Sequence, residues 1–148
     1  MKIVHVTRQF LPAIGGIESA VLGLSKQLVR RQHQVKVVTL DRLFEDRASE
    51  LPKEEMIDGI YVRRIPYFGP HQYAIAPTVI NHVMSSDVIH LHSSDFFLDY
   101  LAFTKRIHNK PIVLSTHGLY FHTNYAAHTK RAYFATVTRV ALSRLSAV

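Results

Sequence analysis

Short runs of β-branched and apolar residues alternate along this chain with segments of helical period, and that alternation restricts the fold more than any other feature. Residues 3–7 read as a buried strand and 12–16 as the Pro/Gly loop that follows it. From Ile17 apolar residues recur three and four apart through Val21, Leu24, Leu28 and Val29. This predicts a helix whose last turn carries Lys26, Arg30 and Arg31, where cations suit the helix dipole. Four more strands are predicted over 35–40, 60–65, 88–92 and 111–116. Helices are predicted over about 77–84 and over 96–107, the second with Asp95 or Ser94 as its N-cap. Residues 41–58 are charged, contain Pro52 and lack a clear period, so they read as a loop with at most one helical turn. The stretch 129–145 reads as helix, and Ser146-Ala147-Val148 as the start of another strand, which suggests a polypeptide that continues into a larger protein.

Strands alternating with helices imply right-handed crossovers and therefore an α/β fold. The expected architecture is a Rossmann-like, doubly wound, mainly parallel sheet in three αβα layers. The near-continuous apolar runs of the first, fourth and fifth predicted strands suit its buried centre. The 148 residues suit one such domain. In these sheets ligands sit beyond the carboxyl ends of the strands, where strand order reverses. Segments 12–18, 92–95 and 116–120 are thereby nominated as parts of one site.

Composition removes several classes of chemistry. With no cysteine, disulfides, thiolate metal sites and cysteine nucleophiles are excluded. No apolar stretch approaches the length that spans a bilayer, and the amino terminus lacks the apolar run of a secretory signal. The expected location is therefore cytoplasmic. A formal charge of +7, from 18 Lys and Arg against 11 Asp and Glu, favours phosphate, nucleic acid or anionic lipid without choosing among them.

The most informative segment is Phe10-Leu11-Pro12-Ala13-Ile14-Gly15-Gly16-Ile17-Glu18. Paired glycines between a strand and a helix let backbone N–H groups and the positive helix end meet a phosphate. A tight turn needing positive φ explains the same glycines equally well. The spacing is neither the dinucleotide G-x-G-x-x-G pattern nor a P-loop.

This loop, with the strand before it and the helix running into His33-Gln34-Val35-Lys36-Val37-Val38-Thr39, resembles the opening of the family-4 glycosyltransferases of GT-B fold. Asp87-Val88-Ile89-His90-Leu91-His92 and Val113-Leu114-Ser115-Thr116-His117-Gly118 resemble two later signatures of the same N-terminal domain, in the expected order. The resemblance implies that residues 1–148 are the acceptor-side, N-terminal half of a retaining transferase. Such an enzyme moves a sugar from a nucleotide-sugar donor to an acceptor hydroxyl. Most of the nucleotide would be held by a C-terminal donor domain absent from this chain, so the chain alone is expected to be inactive.

Carried over onto these positions, Gly15 and Gly16 would bind the donor diphosphate, and His117 would be the catalytic residue at the transferred sugar or acceptor hydroxyl. Glu18, His92, Ser94, Asp95 and Gly118 would line the acceptor cleft, although Glu18 is equally explained as a first-turn helix residue. No cofactor is implied, since the nucleotide sugar is a substrate. One departure is visible: the family ends its first helix with glycine, where this chain has Gln32.

His90 and His92 share a strand face, a metal-compatible spacing with no evident third ligand beyond nearby Asp95, and no metal is expected. Ser93-Ser94-Asp95 lacks the G-x-S-x-G turn of a hydrolase. The aromatic and cationic segment 120–144 reads first as an amphipathic helix with a core stripe of Tyr133, Val137 and Val140. Its functional readings are a membrane interface or single-stranded nucleic acid. The resemblance favours peripheral contact with an anionic membrane, since many members of the family act on a carbohydrate or lipid-linked acceptor. No recognised nucleic-acid motif is present. The competing reading of the whole chain is a non-catalytic Rossmann-like module for a phosphorylated ligand.

Overall fold

A computed structural model describes residues 1–46, 48, 50–117 and 139–146. The strands are β1 (Lys2–Val6), β2 (Gln34–Leu40), β3 (Glu54–Ile57), β4 (Ile60–Ile65), β5 (Val88–His92) and β6 (Ile112–Ser115). The α-helices among the described residues are α1 (Gly16–Arg30), α2 (Val79–Val83), α3 (Phe96–Phe103), α4 (Lys105–His108) and α5 (Arg139–Leu142). The strands form one sheet in the order β3-β4-β2-β1-β5-β6. Every neighbouring pair is parallel except β3–β4. From β1 the chain first winds outward through β2 to β4, then returns to the other side for β5 and β6. Strand order therefore reverses between β1 and β5, the place where such sheets open a crevice.

Register assigns the two faces. Val37 of β2 and Val62 of β4 stand in line with His5 of β1, and with Val35 and Ile60 they bury against Phe10 and Val21 under α1. The alternate residues Val4, Val6, Val38, Ile89, Leu91 and Leu114 form the opposite face, packed by α2, α3 and α5. Each such aliphatic side chain contributes roughly 1.5–3 kcal/mol on burial. The three-layer, doubly wound Rossmann-like fold is thus the observed one.

The structure corrects the sequence reading in four places. Segment 41–58 is not all loop, because β3 lies within it and pairs antiparallel with β4. The Asp58-Gly59 turn that joins them has φ of 51° and 81°, the doubly positive geometry of a tight hairpin. A Cβ on Gly59 would also press on Val29. The helix over 96–107 is two helices: Thr104 leaves helical geometry and its hydroxyl donates to the Tyr100 carbonyl (2.7 Å). β6 lies at the end of the described strand order rather than at its centre, with Ser146 N–H bonded to the Ile112 carbonyl on its outer edge (2.8 Å). Within 120–144, Val140 is exposed and Ala141 takes the core position. Tyr133 and Val137 lie outside the described residues.

Gln32 takes the left-handed conformation expected of glycine, with φ 63°. His33 N–H bonds the Leu28 carbonyl (3.1 Å) and Gln32 N–H the Val29 carbonyl (2.9 Å), so the full Schellman closure forms around a non-glycine residue.

Candidate functional site

The glycine loop leaves β1 under tight control. Thr7 N–H donates to the Val38 carbonyl (3.1 Å) and Leu40 N–H to the Arg8 carbonyl (3.3 Å), extending the parallel pairing past β1. Gln9 ties the loop to the neighbouring one, donating to the Arg42 carbonyl (3.0 Å) and accepting from Phe44 N–H (3.1 Å). Phe10 is buried beneath α1. From β4, the fully buried Arg64 side chain donates to the carbonyls of Leu11 (2.5 Å) and Pro52 (3.0 Å) and pairs with Glu55.

Gly15 is the N-cap of α1 in extended geometry (φ −165°), and Gly16 opens the helix. Neither glycine has positive φ, so the turn explanation for the pair fails. The first helical bond runs from Ser19 N–H to the Gly15 carbonyl (3.0 Å), and among the described residues no side chain caps the N–H groups before it. The Glu18 carboxylate folds against Gly15, where a Cβ would collide with it. Around Gly16 the space is open. An uncapped, positively polarised helix end therefore faces solvent with one flexible carboxylate beside it.

At the carboxyl ends of β5 and β6 four imidazoles gather. His5 of β1 and His90 of β5 are register partners, and His92 is opposite Ser115. His5 Nδ1 lies 2.9 Å from His92 Nε2, and His92 Nδ1 lies 2.9 Å from His117 Nε2. His90 Nε2 is 2.8 Å from the Ser115 hydroxyl, and its ring stacks on His92 with centroids 4.2 Å apart. Burial, reinforced by the neighbouring imidazoles, lowers His5 to a pKa of about 3 and His92 to about 2. His90 is lowered for the same reasons. His117 is exposed, with φ 48°.

The nitrogens of His5, His90 and His92 come within 4.8 Å of one another, so a third imidazole does stand where the sequence showed none. Asp95 does not join them. It caps α3 by accepting from Phe97 N–H (2.9 Å), receives the Ser93 hydroxyl (2.6 Å) and pairs with Arg8 Nε (3.3 Å). Burial pushes its carboxyl up, against the pull of Arg8 and both hydrogen bonds. Ser93 holds the strained φ of 111° at this strand end.

The predicted site residues thus fall at one end of the sheet: Gly15, Gly16 and Glu18 after β1, His92, Ser94 and Asp95 after β5, and His117 after β6. Gly118 lies outside the described residues. Sequence reasoning missed His5, Arg8 and Arg64. A histidine inside an apolar strand and an arginine inside another were the available signals, but only the strand order shows what they meet. A groove of about 240 Å³ lined by Lys2, Lys36 and His82 lies at the opposite ends of these strands, away from every predicted residue.

The Rossmann-like sheet, with the start of α1 and the histidine cluster at its switch point, matches the fold of one domain of a GT-B glycosyltransferase. The model of Glycosyltransferase Family 4 matches residues 14–148, and the chain belongs to that family. It is 50% identical over 145 residues to the GDP-mannose:cellobiosyl-diphosphopolyprenol alpha-mannosyltransferase of Xanthomonas campestris, covering 94% of this chain and 37% of that protein. The enzyme of the same name from Komagataeibacter xylinus is 38% identical over 143 residues, covering 96% and 36%. The chain therefore spans little more than a third of the length of these relatives. Among solved structures, Anabaena HepE in complex with UDP-glucose matches with TM-score 0.57 at 17% identity, covering 97% of this chain and 34% of that one.

Proposed function

We propose that this domain forms the acceptor side of the cleft in a retaining glycosyltransferase that moves a sugar from a nucleotide-sugar donor to an acceptor hydroxyl. The carrying observation is the uncapped start of α1 at Gly15 and Gly16, set at the same sheet end as His117. Backbone N–H groups there would stabilise charge building on the departing diphosphate. His117 would contact the transferred sugar or the reacting hydroxyl, with Ser94 and Asp95 beside the acceptor path and Glu18 swinging clear of the phosphates. The names of the relatives suggest a mannosyl donor and a diphosphopolyprenol-linked acceptor. A charge of +7 suits peripheral work at an anionic membrane from the cytoplasmic side. Most of the nucleotide would bind a second domain, and the 148-residue chain alone would not turn over.

Titration of the chain with GDP-mannose, UDP-glucose and inorganic pyrophosphate tests this. Millimolar affinity is expected, with shifts at the Gly15 and Gly16 amides and the His117 ring. Micromolar affinity would favour a self-contained binding module, and shifts confined to other residues would overturn the assignment.

A further inference from the structure

The described side chains include one single-file run of rings: His5, His92 and His117. Each junction joins the Nδ1 of one imidazole to the Nε2 of the next, at 2.9 Å both times. His5 and His92 are neutral, since burial holds both far below the usual histidine range, so each carries one ring proton. One proton per ring and two such junctions leave two arrangements. If His5 carries its proton on Nδ1, it donates to His92 Nε2. His92 must then carry its own proton on Nδ1 and donate to His117 Nε2, which leaves Nδ1 as the nitrogen on which His117 carries its proton. The reverse order places all three protons on Nε2. Mixed arrangements put two protons, or none, into a 2.9 Å contact.

The closed end decides between them. His5 is fully buried and its Nε2 has no hydrogen-bond partner among the described residues. A bare buried acceptor is tolerated better than an orphaned buried N–H, which selects the arrangement with every proton on Nδ1. His117, which is exposed, then carries an N–H on the nitrogen not bonded to His92, a donor suited to a sugar oxygen. We infer that His92 and His5 are positioning residues, which fix the nitrogen on which His117 carries its proton and so make it a hydrogen-bond donor to the bound sugar. His90 stands outside the chain: it stacks on His92 but bonds Ser115. The inference rests on the reading of His117 as the ligand-facing residue.

Two-bond ¹H–¹⁵N spectra of the ligand-free, histidine-labelled chain at pH 8 test it. Wild type should show the Nδ1–H pattern for His5, His92 and His117 alike. His5→Phe should collapse the separation of the two His117 ring ¹⁵N shifts towards their mean, while His90→Gln leaves that separation unchanged. Amide spectra confirm that each variant folds, and the wild-type comparison needs no variant. An Nε2–H pattern in any of the three rings, an unmoved His117 in His5→Phe, or an equal response to His90→Gln would overturn the inference. No ligand is present in this measurement, so the chain of rings can fail while ligand titration still succeeds at His117, and the reverse.

Discussion

Gln32 is a residue with a side chain in a glycine's place. It holds the left-handed position that closes α1, where a Cβ costs about 1 kcal/mol or more. Gln32→Gly should therefore raise unfolding stability by roughly 0.5–1 kcal/mol in urea titration, with the offsetting loss of chain entropy already included. An unchanged or lowered midpoint would mean that the Gln32 side chain makes a compensating contact. The departure from glycine was legible in sequence, and so was its consequence, because a C′ position is defined by local chain geometry. His5 was not legible in that way. Its meaning depends on His90 and His92 arriving from a strand far along the chain, which only the parallel register brings alongside.

β1, β2, β4 and β5 could be read directly from the sequence, since each concentrates β-branched and apolar residues that feed the cores of the sheet. β3 escaped because Glu54-Glu55-Met56-Ile57 is a short edge strand without polar–apolar alternation, with Glu54 and Met56 exposed, so its only strong marker was the Asp-Gly pair after it. The start of α3 was read correctly through Asp95, and here the element and the site share one side chain. Asp95→Ala removes the cap and the carboxylate that pairs with Arg8, and a loss of at least about 2 kcal/mol is expected. Asp95→Asn keeps an oxygen for Phe97 N–H and sheds a charge that burial penalises, so it should cost about 1 kcal/mol or less. Equal losses in thermal or urea unfolding would show that the ion pair, not the cap, matters most.

Across the whole molecule, the buried histidines couple folding to pH. His5 and His92 have folded pKa values of about 3 and about 2, below the ordinary value of 6.5 that applies on unfolding. Their contribution is full above pH 6.5 and is lost as pH falls, because the unfolded chain takes up protons that the folded one refuses. Each costs up to about 1.4 kcal/mol per pH unit. Between pH 6.5 and 5.5 the pair should remove roughly 2 kcal/mol from the unfolding free energy, measured in urea. A flat profile over that interval would mean that these rings are protonated in the folded state. Asp41 and Asp95, both pushed up by burial, act in the opposite sense nearer the carboxylate range. Long-range order also reaches the glycine bend through Arg64, whose guanidinium grips Leu11 on one side and Pro52 and Glu55 on the other. An engineer pruning this scaffold would find the outlying hairpin no dispensable ornament: it is the remote buttress on which the bend before α1 leans.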